Sequence, residues 1–207
     1  LLASSAIVSL NIAIEAPGDD VVDTVRSSIF QTVSILTTTG FATEDFARWP
    51  SLPQAILVVL MIIGGCSGST AGGIKINRLV VALRLCVMHI EHSFRSRVVR
   101  QIRINNRTLS DAATQEIGMY LILTSSIFLL SVQVASAFEI GTDMGTNLSA
   151  AQACLFNIGP GFAGVGPTET YDSFHSATKL FLSLLMILGR LELYAVLALF
   201  APSMWKR

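Results

Sequence analysis

Residues 113–138 form an apolar stretch broken by one charged side chain, Glu116, which is long enough to cross a bilayer as a single helix. Three further stretches have the same character. Leu1–Ile14 reads as the tail of a span, Leu52–Ile63 continues after an interruption into Ile74–Met88, and a last span covers about 177–203. Backbone in hydrocarbon must satisfy its own hydrogen bonds, so spans of this kind are helices and the fold class is an all-α integral membrane protein. The charged fraction agrees: 14%, against about 25% in soluble domains. A net charge of zero removes the global case for a nucleic-acid partner. Cys66, Cys86 and Cys154 are an odd, widely spaced set with no CxxC or matching His, and they read as core residues rather than a disulfide framework or zinc site. The chain opens on Leu1 inside an apolar run with no charged leader, which reads as a fragment starting within a transmembrane helix and not as a signal peptide.

Two helix-like stretches, about 23–36 and about 147–156, are too short to cross and read as re-entrant. Charge orients the set. Lys75, Arg78, Arg84, Arg95, Arg97, Arg100, Arg103 and Arg107 face a single acid, Glu91, and Lys206 and Arg207 close the chain. The opposite loops hold Glu15, Asp19, Asp20, Asp23, Glu44, Asp45, Glu139, Asp143, Glu169 and Asp172. The positive-inside rule puts 75–110 and the C-terminus in the cytoplasm and makes both short helices enter from outside. The basic stretch suits either a helix touching anionic lipid or a docking surface for a cytosolic partner.

An internal repeat divides the chain. The run Ser28-Ile-Phe-Gln-Thr followed by Thr39-Gly40-Phe41-Ala42 resembles Ala150-Ala-Gln-Ala-Cys followed by Gly161-Phe162-Ala163, and Met61-Ile-Ile-Gly-Gly65 resembles Met186-Ile-Leu-Gly-Arg190. The offset moves from 121 to 125 between these anchors, a four-residue loop insertion. Each unit is a span, a short re-entrant helix, a glycine-containing loop and a second span, so successive units share one orientation and can circle an axis normal to the membrane.

Chemistry concentrates in the loops. Thr37-Thr38-Thr39-Gly40-Phe41 follows the first short helix directly. A re-entrant helix from outside aims its negative C-terminal end at the membrane centre, which attracts cations. Non-helical backbone at that depth must be buried or line water, and Gly40 permits dihedrals that let carbonyls replace an ion's hydration shell. A helix C-cap ending in Thr and Gly would read the same way. In the second unit Phe156-Asn157-Ile158-Gly159-Pro160-Gly161-Phe162 holds this place. Matching Thr38-Thr39-Gly40 to Asn157-Ile158-Gly159 keeps the loop directly after its helix and is preferred over matching Gly40-Phe41 to Gly161-Phe162.

The run Gly64-Gly65-Cys66-Ser67-Gly68-Ser69-Thr70-Ala71-Gly72-Gly73 has five glycines in ten residues inside an apolar span. At about 1 kcal/mol per glycine relative to alanine, the helix breaks there. A break in mid-membrane lines a cavity. No P-loop lysine is present, so a nucleotide site is not supported, while Gly68 and Gly72 also fit a GxxxG packing face. The repeat sets Arg190 opposite Gly65, 16 residues before Lys206, or roughly 24 Å along a helix. A charge at that depth faces the bundle interior. Its candidate partners are the 64–73 loop, Glu116 or Glu192. The sequence Gly65-Cys66-Ser67-Gly68 also matches a GxSG serine-nucleophile pattern, the basis of a rival reading as an intramembrane serine protease. That reading requires a base at the depth of Ser67, and His89, His92 and His175 lie at span ends.

Across essentially all 207 residues the chain resembles the potassium-transporting membrane subunits of the Trk/Ktr/HKT superfamily, most closely the bacterial TrkH type. The resemblance rests on Thr-Thr-Thr-Gly-Phe-Ala-Thr-Glu-Asp-Phe, Gly-Gly-Cys-Ser-Gly-Ser-Thr-Ala-Gly-Gly-Ile-Lys and Asn-Ile-Gly-Pro-Gly-Phe. It implies two of four span–pore helix–span repeats around a pseudo-four-fold pore: the third repeat over 1–90 with a truncated first span, a basic connector over 91–112, and the fourth repeat over 113–207. It implies a potassium filter of Thr38, Thr39, Gly40, Phe41, Asn157, Ile158 and Gly159, with Thr38, Thr39, Asn157 and Ile158 as potassium ligands. Residues 64–73 become a gate contacted by Arg190. The implied partners are the lipid bilayer, the missing N-terminal repeats, a second copy, and a cytosolic nucleotide-binding regulatory ring (TrkA-like), the nucleotide residing on that partner. The resulting expectation is a non-enzymatic, channel-like potassium transporter of the bacterial inner membrane.

Overall fold

The structure, a computed structural model, describes residues 1–15, 20–66, 68–94, 103–104, 107–191 and 193–199. Asp19, Ser67, Arg95, Arg97, Arg100, Glu192, Lys206, Arg207 and the end of the expected last span lie outside the described residues.

Helix α1 (Leu2–Glu15) packs against α2 (Val21–Leu36). Asp20 starts α2 by accepting the Val22 N–H at 3.1 Å, which satisfies one of the helix's unpaired donors. The buried side of α2 is polar, with Thr24, Ser27, Ser28, Gln31, Thr32 and Ser34 enclosed. With Val25, Ile29, Phe30 and Val33 left on the outer face, this is the reverse of the pattern of a helix facing water. Helix α3 (Ser51–Ile62) leads into strand β1 (Ile63–Gly64), which pairs in parallel with β2 (Ile74–Lys75) before α4 (Ile76–Phe94). Parallel pairing means that the chain leaves β1, makes a closed excursion and resumes in the same direction. The glycine run therefore bulges sideways from one interrupted span.

A short antiparallel strand pair, β3 (Arg103–Ile104) and β4 (Arg107–Thr108), precedes the longest helix among the described residues, α5 (Asp111–Phe138). Residues 112–138 are long and apolar enough to cross a membrane, and only 22% of their most apolar window is buried within the chain. That leaves most of the surface for lipid or protein neighbours. Helices α6 (Met144–Leu155) and α7 (Ser176–Arg190) follow, then α8 (Leu193–Leu199). At 1.5 Å per residue α6 extends about 18 Å and α2 about 24 Å, both short of the roughly 30 Å hydrocarbon core.

Two expectations change here. Within the described residues the last span is two helices rather than one: α7 stops at Arg190, where the Leu191 N–H donates to the Ile187 carbonyl, and α8 covers Leu193–Leu199. Gly189 and Arg190, both engaged by neighbouring loops, hold the chain at the break. The outer loop of the second unit is also longer by six residues, not four. The offset is 119 at the helix C-caps Thr37 and Phe156, and 125 at the starts of α3 and α7, Ser51 and Ser176.

One core unites the units, with Ile35, Phe46, Leu57, Met61 and Ile74 packed among Cys154, Leu155, Phe156, Ile158, Val165, Phe174, Leu182 and Leu185. The outer loops lock together through Phe46 and Phe162, edge to face at 5.2 Å.

Candidate functional site

The loops after α2 and α6 follow the same backbone schedule. Thr37 and Phe156 donate to the carbonyls four residues back, Thr38 and Asn157 to those three back, and Thr39 and Ile158 to those five back. Thr38 and Asn157 both have φ +54°, and Gly40 and Gly159 have φ +72° and +109°. Such left-handed residues terminate helices, and glycine takes that region most easily. Thr38-Thr39-Gly40 is thus equivalent to Asn157-Ile158-Gly159. Gly161 has no positive φ and packs on Ser149 and Val165 instead.

The loops meet. A Cβ on Gly40 would run into the Ile158 carbonyl oxygen and approach Pro160 Cδ to 3.0 Å, so only a glycine allows this approach. Two helix C-terminal ends, each carrying about half a negative charge, therefore converge where carbonyls are dense, an arrangement suited to a cation stripped of water. The threonine hydroxyls are committed to protein partners. Thr39 Oγ1 donates to the Ser34 carbonyl at 3.2 Å, Thr37 Oγ1 to that of Val33 at 2.7 Å, and Thr38 Oγ1 accepts the Gly72 N–H at 2.9 Å. Asn157 Nδ2 donates to the Met186 carbonyl of α7 at 3.1 Å. The backbone carbonyls of these residues add ligand capacity to the lone pairs that the side-chain oxygens keep beyond these bonds. Phe41 is set apart: it is 72% exposed, and its carbonyl accepts from Ser34 Oγ at 2.6 Å.

The 64–73 excursion sits against both loops. Beyond the Thr38–Gly72 bond, Gly72 presses on the Phe156 carbonyl, and a Cβ there would stand 3.0 Å from that of Asn157. Gly64 and Gly73 pack backbone to backbone at the neck. Arg190 reaches in from α7 and donates from Nη1 to the Thr70 carbonyl at 2.6 Å. Gly189, one residue earlier, lies on the Leu155 carbonyl. A cavity of about 170 Å³ beside the excursion is lined by Thr70, Gly73, Lys75, Arg78, Tyr120 and Arg190, among others. Arg78 stacks over the Tyr120 ring at 4.0 Å. The excursion has room next to it, and Arg190 holds it from that side through a charge-assisted bond.

Sequence patterns do not reveal several contributors. Ser34 acts on Phe41, seven residues on, Tyr171, Gly189 and the Asn157 amide act through contacts more distant in sequence, and Ser149 and Thr146 accept the Phe162 and Gly164 N–H groups in the second outer loop. Glu139, read as an external acid, accepts the His175 N–H at 2.7 Å and caps α7. For the protease reading, His175 stands about 14 residues from Gly189, roughly 21 Å along α7. His89 is bonded to the Leu85 carbonyl on α4.

Comparison with known proteins gives one consistent result. Residues 18–207 match the model of the TrkH family, described as cation transport protein. The chain is 32% identical to the Trk system potassium uptake protein TrkI of Halomonas elongata, over 100% of its own length and 42% of the relative. It is 31% identical to the Trk system potassium uptake protein TrkH of Escherichia coli K12, over 88% of the chain and 37% of the relative. The crystal structure of the potassium transporter TrkH from Vibrio parahaemolyticus superimposes with a TM-score of 0.89 at 28% identity, covering 99% of the chain and 43% of that structure. The chain thus spans about two fifths of the length of these relatives, and its all-α membrane architecture is theirs.

Proposed function

The chain belongs to the TrkH family of cation transport proteins, and from that premise we propose that it is the C-terminal portion of a potassium uptake protein of the bacterial inner membrane. Potassium sheds its water between two converging helix ends, against the backbone of Thr38, Thr39 and Gly40 on one side and Asn157, Ile158 and Gly159 on the other. The carrying observation is the contact of Gly40 with the Ile158 carbonyl between two loops of identical backbone schedule. Rings of carbonyls are how hydration shells are replaced in potassium filters.

Residues 64–73 act as the gate. The Thr38–Gly72 bond and the Arg190–Thr70 bond hold the excursion under the filter, and its displacement toward the adjoining cavity opens the path. The remaining repeats of the same chain complete the pore. A second copy and a cytosolic nucleotide-binding ring are the assembly partners, the ring docking on the basic segment between Lys75 and Arg107 and keeping the nucleotide on itself. The cytoplasmic placement of 75–110 belongs to this reading and follows from charge asymmetry.

The test is potassium and rubidium uptake into proteoliposomes by the full-length protein carrying this segment, comparing wild type with Gly40→Ser and Arg190→Ala. Arg190→Ala is expected to raise basal flux up to about tenfold, the scale of one charge-assisted hydrogen bond partly screened by water, and to weaken dependence on the cytosolic partner. Loss of both folding and flux would assign Arg190 to structure instead. Selective uptake that survives Gly40→Ser unchanged would remove Gly40 from the filter.

A further inference from the structure

The equivalent loops are braced differently. In the first, hydroxyls of its own helix end do the work: Ser34 Oγ holds the Phe41 carbonyl, and Thr37 and Thr39 bond back to α2. At the offset of 119 the second loop places Ala153, Phe156 and Ile158 at these positions, so all three hydroxyls are gone. Pro160, in place of Phe41, contributes no N–H. The peptide joining Gly159 to Pro160 can be held only through its carbonyl.

That carbonyl has a partner from outside the helix. Tyr171 donates its O–H to the Gly159 carbonyl at 3.2 Å. The side chain is well anchored. The Cys154 side chain of α6 is its close neighbour, and its ring lies 5.8 Å from that of the buried Phe174. The short turn carrying it is tied to α7, where Lys179 donates to the Asp172 carbonyl at 3.1 Å and pairs with its carboxylate at 3.6 Å. Burial pushes the Tyr171 phenol well above its ordinary pKa, so the group keeps its proton and remains a donor. The six extra residues of the second outer loop give this turn the reach to lie over the loop below.

We propose that Tyr171 is a positioning residue for cation selectivity: by holding the Gly159 carbonyl it fixes the Gly159–Pro160 peptide, and with it sets the Ile158 carbonyl against Gly40. This rests on the filter reading above. Tyr171 touches no ion and acts through the neighbouring carbonyl. The first loop needs no such external strut because its own helix supplies Ser34.

Tyr171→Phe keeps the ring and removes only the hydroxyl. In the full-length protein in proteoliposomes, it is expected to lower potassium-over-sodium discrimination in rubidium competition by about three- to tenfold, the range set by the net worth of one neutral hydrogen bond, with the maximal uptake rate within about twofold of wild type. The melting midpoint should not move. Cys154→Ala, which trims a neighbour of the Tyr171 side chain and leaves the bond to Gly159 in place, should retain wild-type discrimination. Wild-type selectivity in Tyr171→Phe, with selectivity lost in Gly40→Ser, would overturn the positioning role and leave the filter reading standing. Unchanged selectivity in both would overturn the filter reading and the proposal with it. Equal losses of selectivity and melting midpoint in Tyr171→Phe and Cys154→Ala would make Tyr171 a packing residue.

Discussion

Gly40→Ser is expected to collapse discrimination between potassium and sodium by more than an order of magnitude, the largest functional effect of any single substitution in this segment. Two costs act together. At φ +72° a non-glycine residue is strained by about 1–2 kcal/mol. The second cost is steric, since a Cβ there meets the Ile158 carbonyl oxygen and Pro160. The obstacle is backbone, so relief requires the Asn157–Pro160 loop to move as a whole. Both carbonyl sets shift, and a filter whose selectivity depends on carbonyl placement loses it. Gly159→Ser separates the two costs. Gly159 has φ +109° but the nearest atom a Cβ would meet is Gly40 Cα at 3.9 Å, so it incurs the strain without the collision and should lose less selectivity. Rubidium uptake competed with potassium and with sodium measures both, and equal effects at the two glycines would mean that loop contact plays no part.

The signals that reached the sequence were the local ones. Five glycines within an apolar span can only break a helix, and the structure breaks there, between α3 and α4. Threonines followed by Gly40, and Asn157 followed by Gly159, end their helices because their side chains and backbone favour caps over continuation. Arg190 is legible because a charge at that depth needs a partner, and its bond to Thr70 spans 120 residues. What stayed hidden has no local periodicity. Thr38 reads as a potassium ligand, and its hydroxyl accepts from Gly72, 34 residues on. Tyr171 sits in an ordinary polar loop. The break after Arg190 could not be read either, because the apolar pattern of Leu182, Leu185, Met186 and Leu193 runs straight through it, while the interruption arises from contacts made by Gly189 and Arg190. The inward side of α2 is hidden for a similar reason: Ser27, Ser28 and Gln31 are buried, where hydropathy alone scores such residues as exposed.

Gly189→Ala is the substitution expected to cost the most stability. Within a helix, alanine is favoured over glycine by about 1 kcal/mol, so on propensity alone the change would strengthen α7. The packing reverses the sign. A Cβ on Gly189 would drive into the Leu155 carbonyl and stand 2.6 Å from Asn157 Nδ2. Neither can swing away: the carbonyl belongs to the last turn of α6, and the amide is bonded to the Met186 carbonyl. The helices must separate, and overpacking of this kind costs about 1–3 kcal/mol, or more where backbone is the obstacle. Gly118→Ala on α5 is the matched control, since a Cβ there meets nothing within 4 Å, and it should melt at or above the wild-type temperature. Thermal unfolding of the full-length protein in detergent reads the difference directly, with the midpoint of Gly189→Ala several degrees lower. Arg190 is the next residue, so separation of α7 from α6 also carries its guanidinium away from the Thr70 carbonyl. The surviving folded fraction should then resemble Arg190→Ala in its raised basal flux, joining helix packing to gate position through one glycine. A wild-type melting curve for Gly189→Ala would mean that α7 does not rest on the end of α6.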